Sequence, residues 1–336
     1  MPQDGPQAGP RRAAPWCRLL GAFLAAALLS ACDGPQSVLV PAGEDASQID
    51  RLFRVMLVGA IVLWLGMNGL FYFITRRYTG AISRRRAEAV ILGGGVALPV
   101  VVITALLVWG LSIMPDQRAP GDGLRVRIVG EQFWWRVEYW PEGAEAPVVS
   151  ANELRLPVGQ RSEILLDSAD VIHAFWIPAL GGKMDMIPGR TNRMTLAPTE
   201  AGTFRGACTE FCGLSHALMA LNAVTLEEPD FDAWLAAEAG PARAAEGPGR
   251  DLFFREGCGA CHALRGTPAQ GAVGPDLTHL GSRTSLASGI LPMTAEALAG
   301  WIRDPQAAKP GAEMPAYDHL TEDELATLAA WLEGLE

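Results

Sequence analysis

The chain lacks any excess of positive charge: 27 Lys and Arg stand against 37 Asp and Glu, for a formal net charge of −10 and a pI near 5.1. A phosphate backbone is repelled by such a balance, and no nucleic-acid motif offsets it, which argues against nucleic acid as a partner. An acidic surface suits basic carriers instead. No solenoid repeat is present. Histidine and cysteine are scarce, at five and six of 336 residues. No βαβ pattern surrounds the one Cys-x-x-Cys pair, which argues against a thioredoxin-like redox fold. What the chain does have is two long apolar runs and two compact clusters of soft metal ligands.

The first cluster is Cys208-Thr-Glu210-Phe-Cys212-Gly-Leu-Ser-His216-Ala-Leu-Met219, which follows a strand-like Thr203–Ala207, with His173 upstream. Two thiolates four residues apart can each bridge two metals, and His173 and His216 can terminate one metal apiece. Thiolate, imidazole and thioether suit copper far better than magnesium or calcium. Met219 and the backbone carbonyl of Glu210 are then weak axial ligands. The same four strong ligands also fit a tetrahedral Cys2His2 zinc site, or a reduced, buried thiol pair on one helical face. Ligand type limits the metal without fixing it.

The second cluster, Cys258-Gly-Ala-Cys261-His262, has the spacing of a covalent haem attachment site, in which both thiols add to vinyl groups and the imidazole ligates iron. A helix-like Arg250–Gly257 leads into it, and Gly274-Pro275-Asp-Leu277 supplies a turn suited to packing beside His262. Leu325, Leu328, Ala329 and Leu332 recur at helical spacing and predict an amphipathic closing helix. The region resembles class I cytochrome c. That resemblance implies Met314, in the loop before the closing helix, as the second iron ligand, with Met293, His279 and His319 as alternatives.

From Asp170 to Glu227 the chain resembles subunit II of a haem-copper cytochrome c oxidase. The likeness is carried by Val171–Arg190, which contains His173, Pro178, Lys183, Asp185 and Pro188, and by Gly206–Met219 with Cys208, Glu210, Cys212, His216 and Met219. The resemblance implies a cupredoxin-like β-sandwich holding a mixed-valence dinuclear copper centre, CuA. It also implies that the Glu210 carboxylate helps hold a magnesium shared with subunit I, and it favours copper over zinc.

Residues 1–31 read as a bacterial lipoprotein signal, with Arg11, Arg12 and Arg18 before an apolar Leu19–Leu29 and a cleavage site at Leu29-Ser-Ala-Cys32. Cys32 is expected to be lipidated. The cysteines then divide into two for copper, two for haem, Cys32, and Cys17 in the removed segment, with no disulfide needed. Residues 32–50 read as a polar tether. Val55–Thr75 and Ala89–Met114 are long enough to span a bilayer. Arg76, Arg77, Arg84, Arg85 and Arg86 between them place their connection in the cytoplasm and the outer ends in the periplasm. Pro99 in the second span is tolerable if neighbouring helices satisfy the freed carbonyl. Glu88 is either a solvated flank or the proton-admitting carboxylate of related subunits.

Leu124–Val129 alternates as a half-buried strand and is expected to continue through Gly130–Tyr139. Comparable subunits take electrons through an aromatic cluster at this place, here Phe133, Trp134 and Trp135, and many relatives carry tryptophan where this chain has Phe133. That departure fits a donor attached covalently. Further strands are expected at Glu153–Leu156, Arg161–Leu166 and Met194–Leu196, a short helix at Asp230–Ala239, and a flexible connector at Gly240–Gly249.

The expected multidomain order is a two-helix transmembrane hairpin (51–115), an all-β cupredoxin-like sandwich (116–228), a linker (229–249) and an all-α class I cytochrome c domain (250–336). The whole resembles the bacterial caa3-like oxidases, whose subunit II carries its own haem. The resemblance implies a relay from an external donor such as cytochrome c, through haem c and CuA, to the oxygen-reducing site of subunit I, with subunit III as a further partner. Enzyme activity, that of a cytochrome-c oxidase, then belongs to the complex in the bacterial inner membrane. Two alternatives are the CuA subunit of a nitric oxide reductase and a membrane-anchored carrier without a catalytic partner. Quinol oxidase subunits lack these copper ligands.

Overall fold

The structure is a computed structural model that describes residues 34–77, 80–114, 119–243 and 246–336. The expected signal segment, with Cys17 and the lipidation candidate Cys32, lies outside the described residues.

Two apolar helices open the described chain, α1 (Glu44–Arg76) and α2 (Arg84–Ile113), and both are long and apolar enough to cross a membrane. Their large hydrophobic side chains stand exposed, which water tolerates poorly and lipid or partner helices would satisfy. A wider π-helical turn at Gly93–Ala97 lies just ahead of Pro99, where the missing N–H interrupts the regular ladder.

Where a polar tether was expected over 32–50, α1 already begins at Glu44. Its start is docked on the sandwich. Ala42 N–H donates to the Ala179 carbonyl at 2.7 Å, Thr199 N–H to Ala42 at 2.8 Å, and Glu44 N–H to Ala197 at 3.0 Å. The Arg161 guanidinium reaches the carboxylates of Glu44 at 2.7 Å and Asp45 at 3.3 Å. Acidic side chains in a first helical turn also complement the helix dipole. The polarity of this stretch therefore belongs to an anchored helix start.

Ten strands form the sandwich: β1 (Arg125–Glu131), β2 (Trp134–Trp140), β3 (Val148–Ala151), β4 (Glu153–Pro157), β5 (Ser162–Ser168), β6 (His173–Trp176), β7 (Met184–Met186), β8 (Asn192–Leu196), β9 (Gly202–Cys208) and β10 (Ala220–Leu226). One sheet runs β3-β2-β1-β5-β8 and the other β4-β10-β9-β6-β7. Trp135, Tyr139, Leu154, Ile164 and Phe175 fill the space between them.

The single strand expected from Leu124 through Tyr139 is instead a hairpin that reverses at Gln132–Phe133, pairing Glu131 with Trp134. Burial explains the break. Val126 and Ile128 face inward at even positions, whereas Trp135, Val137 and Tyr139 do so at odd ones. An uninterrupted strand cannot change that parity.

Helix α3 (Glu228–Glu238) packs Trp234 edge-on against Tyr139, with ring centroids 5.1 Å apart. The C-terminal unit is helical: α4 (Pro248–Arg255), α5 (Ala295–Arg303), α6 (Pro305–Ala308) and α7 (Glu322–Glu333). Helices α4 and α5 pack on α7, where Leu325, Leu328, Ala329 and Leu332 are all buried, as their spacing predicts. Two apolar helices, a cupredoxin-like sandwich and a helical cytochrome-c-like unit are thus the architecture.

Helix α7 starts with a reciprocal capping box, in which the Thr321 side chain accepts from Glu324 N–H and the Glu324 carboxylate accepts from Thr321 N–H. Thr321→Ala should lower stability of the helical unit by about 1 kcal/mol. Calorimetry of the full chain should show the C-terminal transition moving down while that of the sandwich stays in place.

Candidate metal centres

Strand ends and one loop assemble the first site. His173 opens β6, Cys208 closes β9, Met219 directly precedes β10, and Cys212 and His216 lie in the loop between. A hydrogen bond from Cys208 N–H to the Met219 carbonyl at 2.8 Å closes the base of that loop. The Cys208 and Cys212 Sγ atoms lie 3.8 Å apart. His173 Nδ1 faces Cys208 Sγ at 3.8 Å, His216 Nδ1 faces Cys212 Sγ at 3.6 Å, and Met219 Sδ lies 3.8 Å from Cys212 Sγ. His173, Cys208 and Cys212 are buried, with their ligand atoms within 4.8 Å of one another.

Neighbouring groups aim these ligands. Asp170 Oδ1 lies 2.8 Å from His173 Nε2, and a proton held there leaves Nδ1 as the free ligand nitrogen. A Cβ at Gly130 would come within 2.8 Å of the His173 ring, so only glycine gives the imidazole its place. The Gln132 side-chain amide donates to the Cys212 carbonyl. The Glu210 carbonyl lies 3.2 Å from Cys208 Sγ, while the residue itself is exposed.

The thiol pair shares protons unevenly. A hydrogen bond from Cys212 pulls Cys208 well below the usual thiol range, and the same bond, together with burial, pushes Cys212 up. Burial lowers His173, but the sulfur of Cys208 and the carboxylate of Asp170 outweigh it and raise the group. A cation with affinity for sulfur displaces the shared proton and removes the repulsion between two buried thiolates.

The second site is a cavity lined by Cys258, Cys261, His262 and Met314. Cys258 begins a short 3-10 turn, and both thiols are free. His262 Nδ1 lies 2.7 Å from the Pro275 carbonyl, which fixes the tautomer and presents Nε2 to the cavity. Burial pushes the His262 pKa down, keeping it a neutral ligand. A Cβ at Gly274 would stand 2.6 Å from His262 Cε1, so the Gly274-Pro275 turn is shaped around the ring. Arg283 also lines the cavity; its Nη2 donates to the Asp276 carbonyl at 2.6 Å, and its buried Nε has no partner among the described residues. A cationic donor left open at a cavity wall fits a group with carboxylate arms, as haem has.

Of the four candidates for second iron ligand, Met314 alone lines this cavity. Met293 packs against the hydrophobic core, His279 Nε2 lies 3.3 Å from the Gly240 carbonyl, and exposed His319 pairs with Glu256 at 2.9 Å. In the first turns of α2, the side chain of Glu88 is exposed and salt-bridged to Arg84 at 2.7 Å.

The two sites meet. Phe133, Trp134 and Asn152 of the sandwich line the same cavity as His262 and Met314. Phe133 is wedged between loops, since a Cβ at Gly213 would meet its ring at 3.2 Å and one at Gly311 at 3.3 Å. Trp134 is half-buried under the Arg136 guanidinium, 4.8 Å from its ring centroid, and Arg136 Nη2 donates to the Ala272 carbonyl at 2.8 Å. Trp135 lies within the sandwich core, its indole N–H donating to the Ala220 carbonyl at 3.1 Å. Ala220 N–H donates to Ser288 O at 3.1 Å, and Ser288 Oγ donates back to Ala220 O at 2.6 Å. Glu153 Oε2 accepts from Thr284 N–H at 2.7 Å and its hydroxyl at 2.5 Å.

Asp170, Arg283, Ser288 and Lys309 escaped the sequence reading. Only Asp170 gave a local signal, three residues ahead of His173; the others matter through contacts made by the fold.

Comparison with known proteins places both sites in families. Residues 141–225 match the family described as cytochrome C oxidase subunit II, periplasmic domain, and residues 247–336 match cytochrome c. The chain is 34% identical to cytochrome c oxidase subunit 2 of Alkalihalophilus pseudofirmus over 92% of its own length and 94% of that protein. It is 30% identical to cytochrome c oxidase subunit 2 of Bacillus subtilis over 96% of its length and 98% of the relative. Among solved structures, the periplasmic domain of subunit II of cytochrome oxidase of Bradyrhizobium japonicum is 30% identical, covering 36% of this chain and 96% of that one with a TM-score of 0.32.

Gly274→Ala should force the His262 ring out of place, because the added methyl overlaps it. The expected result is covalent haem that is retained but no longer cleanly low-spin. The visible spectrum of the reduced protein, beside a total haem assay, checks both.

Proposed function

The chain belongs to the cytochrome c oxidase subunit II family, with a cytochrome c domain at its C-terminal end, and we propose that its two ligand clusters form the electron path into the oxidase. The copper and haem c that these two domains imply supply one-electron acceptors between a donor and the oxygen-reducing site of subunit I. The chain is therefore a component of an enzyme, anchored in a membrane as a partner of subunit I.

The residues have separable tasks. Cys208, Cys212, His173 and His216 would hold the copper, with the Met219 sulfur and the Glu210 carbonyl as further donors, and the copper would supply a one-electron acceptor there. The observation that supports two metal positions over one zinc is the placement of the imidazoles. His173 flanks Cys208 while His216 flanks Cys212, so they approach opposite ends of the thiol pair. Cys258 and Cys261 would attach haem, with His262 and Met314 in the same cavity as the residues that would hold its iron. Phe133 and Trp134, which line the haem cavity from the sandwich, with Trp135 behind them against His173, would lie between the two sites as the electron entry.

Several finer assignments belong to the same reading. Cytochrome c is the external donor, and subunit III a further partner. The exposed Glu210 carboxylate turns toward subunit I, where it helps hold magnesium. The loop carrying Arg84, Arg85 and Arg86 is cytoplasmic, the sandwich and cytochrome unit are periplasmic, and Cys32 is lipidated in the inner membrane. Glu88, exposed and paired with Arg84, is a solvated flank in this isolated chain, and its proposed proton-admitting role requires subunit I. The sandwich begins near 116 and the cytochrome unit near 250, and within the segment 229–249 helix α3 packs on the sandwich.

Metal analysis and electron paramagnetic resonance of the purified complex test the copper assignment. Cys208→Ser and Cys212→Ser should each abolish the mixed-valence signal; a surviving signal, or zinc as the sole metal in wild type, rejects the site.

For haem, Met314→Leu should remove the weak sulfur-to-iron absorption of the oxidised spectrum and lower the haem potential, while Met293→Leu leaves both nearly unchanged. The reverse pattern would reassign the ligand.

A further inference from the structure

Lysine is almost absent from this chain: of 27 cationic side chains only Lys183 and Lys309 are lysines. Lys183 is exposed, whereas Lys309 is 3% exposed and lines the haem cavity where the two units meet. Its Nζ donates to the Ala287 carbonyl at 2.9 Å. An ammonium carries three N–H donors, and among the described residues Lys309 has no other side-chain hydrogen bond and no ion pair.

Both neighbours of this group touch the copper-ligand loop. Pro310, the next residue, accepts from Ser215 Oγ at 2.6 Å, and Ser215 adjoins His216. Ala287 adjoins Ser288, which exchanges two hydrogen bonds with Ala220, the residue after Met219. The lysine is thus enclosed between the backbone that carries copper ligands and the cavity that holds His262 and Met314. Burial pushes Lys309 down to about 7, and the one group opposing that shift is Cys212, across the junction. Carboxylate arms on the cavity's occupant would favour the ammonium further.

We propose that Lys309 is a positioning residue for electron transfer, whose buried ammonium stabilises the electron at both the haem and the copper site and so raises both reduction potentials. The proposal rests on the functional reading above. Each reduction adds one negative charge near the lysine, which favours its ammonium form and is in turn stabilised by it, in surroundings that water and salt screen poorly. The competing role is a purely structural pin, since Ala287 and Ser288 both adopt left-handed backbone conformations, with φ of 53° and 63°.

Redox titration of the intact oxidase complex separates the two, following haem by its visible band and copper by its near-infrared band. Lys309→Met should lower both midpoints, with equilibrium constants for reduction falling on the order of tenfold, and Lys309→Arg should restore them. Unchanged midpoints in a fully metallated Lys309→Met complex overturn the proposal, as does a shift confined to haem. If the methionine variant does not assemble, Lys309→Gln takes its place. Failure of both neutral variants to hold haem or copper, with Arg restoring assembly but not the potentials, identifies a structural pin and also overturns it. A wild-type complex without mixed-valence copper or covalent haem would instead reject the functional reading itself.

Discussion

Two buried sulfur atoms 3.8 Å apart constrain much of the sandwich around them. Without a metal two buried thiolates this close repel each other, and the hydrogen bond between the sulfurs lowers Cys208 while it raises Cys212. A site that repels its own charge must be held by the frame. Antiparallel pairing of β9 with β10 sets Ala207 opposite Ala220 and so fixes both ends of the ligand loop. β6 is pinned beside β9 by the pairing of Phe175 with Cys208, which brings His173 to the same end of the sheet. The aromatic core of Trp135 and Phe175, edge to face at 6.0 Å, backs that sheet end and leaves the imidazole little freedom to swing.

The sequence carried the candidate ligands more clearly than the frame. Cys208, Cys212 and His216 lie close together in the chain, so their spacing alone speaks, and Cys258-Gly-Ala-Cys261-His262 is contiguous. The closing helix was legible for the same reason, since its buried face repeats within one element. Two local readings failed where long-range contacts decide. Alternation on both sides of Gln132–Phe133 looks like one strand, and only the change of inward parity reveals the hairpin. Glu44, Asp45 and Asp50 look like a solvated tether until Arg161, far along the chain, is seen to claim the first two.

The positions of Met314, Met293, His279 and His319 show the same division. All four are plausible by chemistry, and sequence position favours Met314 only through resemblance. In space Met293 does not line the cavity, and His279 and His319 make polar contacts of their own. Access to the cavity, which Met314 alone of the four has, is encoded by no local pattern.

The contact between the two units has its own logic. Arg136, Arg155, Arg205 and Arg265 each cross it to a backbone carbonyl, of Ala272, Ser282, Gly289 and Val149 respectively, at 2.7 to 3.0 Å. Three of them pair their charge within their own unit: Arg136 with Glu131, Arg155 with Glu153, and Arg265 with Asp276. The junction therefore gains direction from charge-assisted hydrogen bonds while little of its attraction depends on opposite net charges. Contacts of this kind are screened far less by salt than the long-range attraction that steers separate carriers together. A cytochrome unit seated by carbonyls keeps Phe133 against the Gly311 loop, so the separation between the two metal sites is set by the junction and not by the length of the connector that joins them.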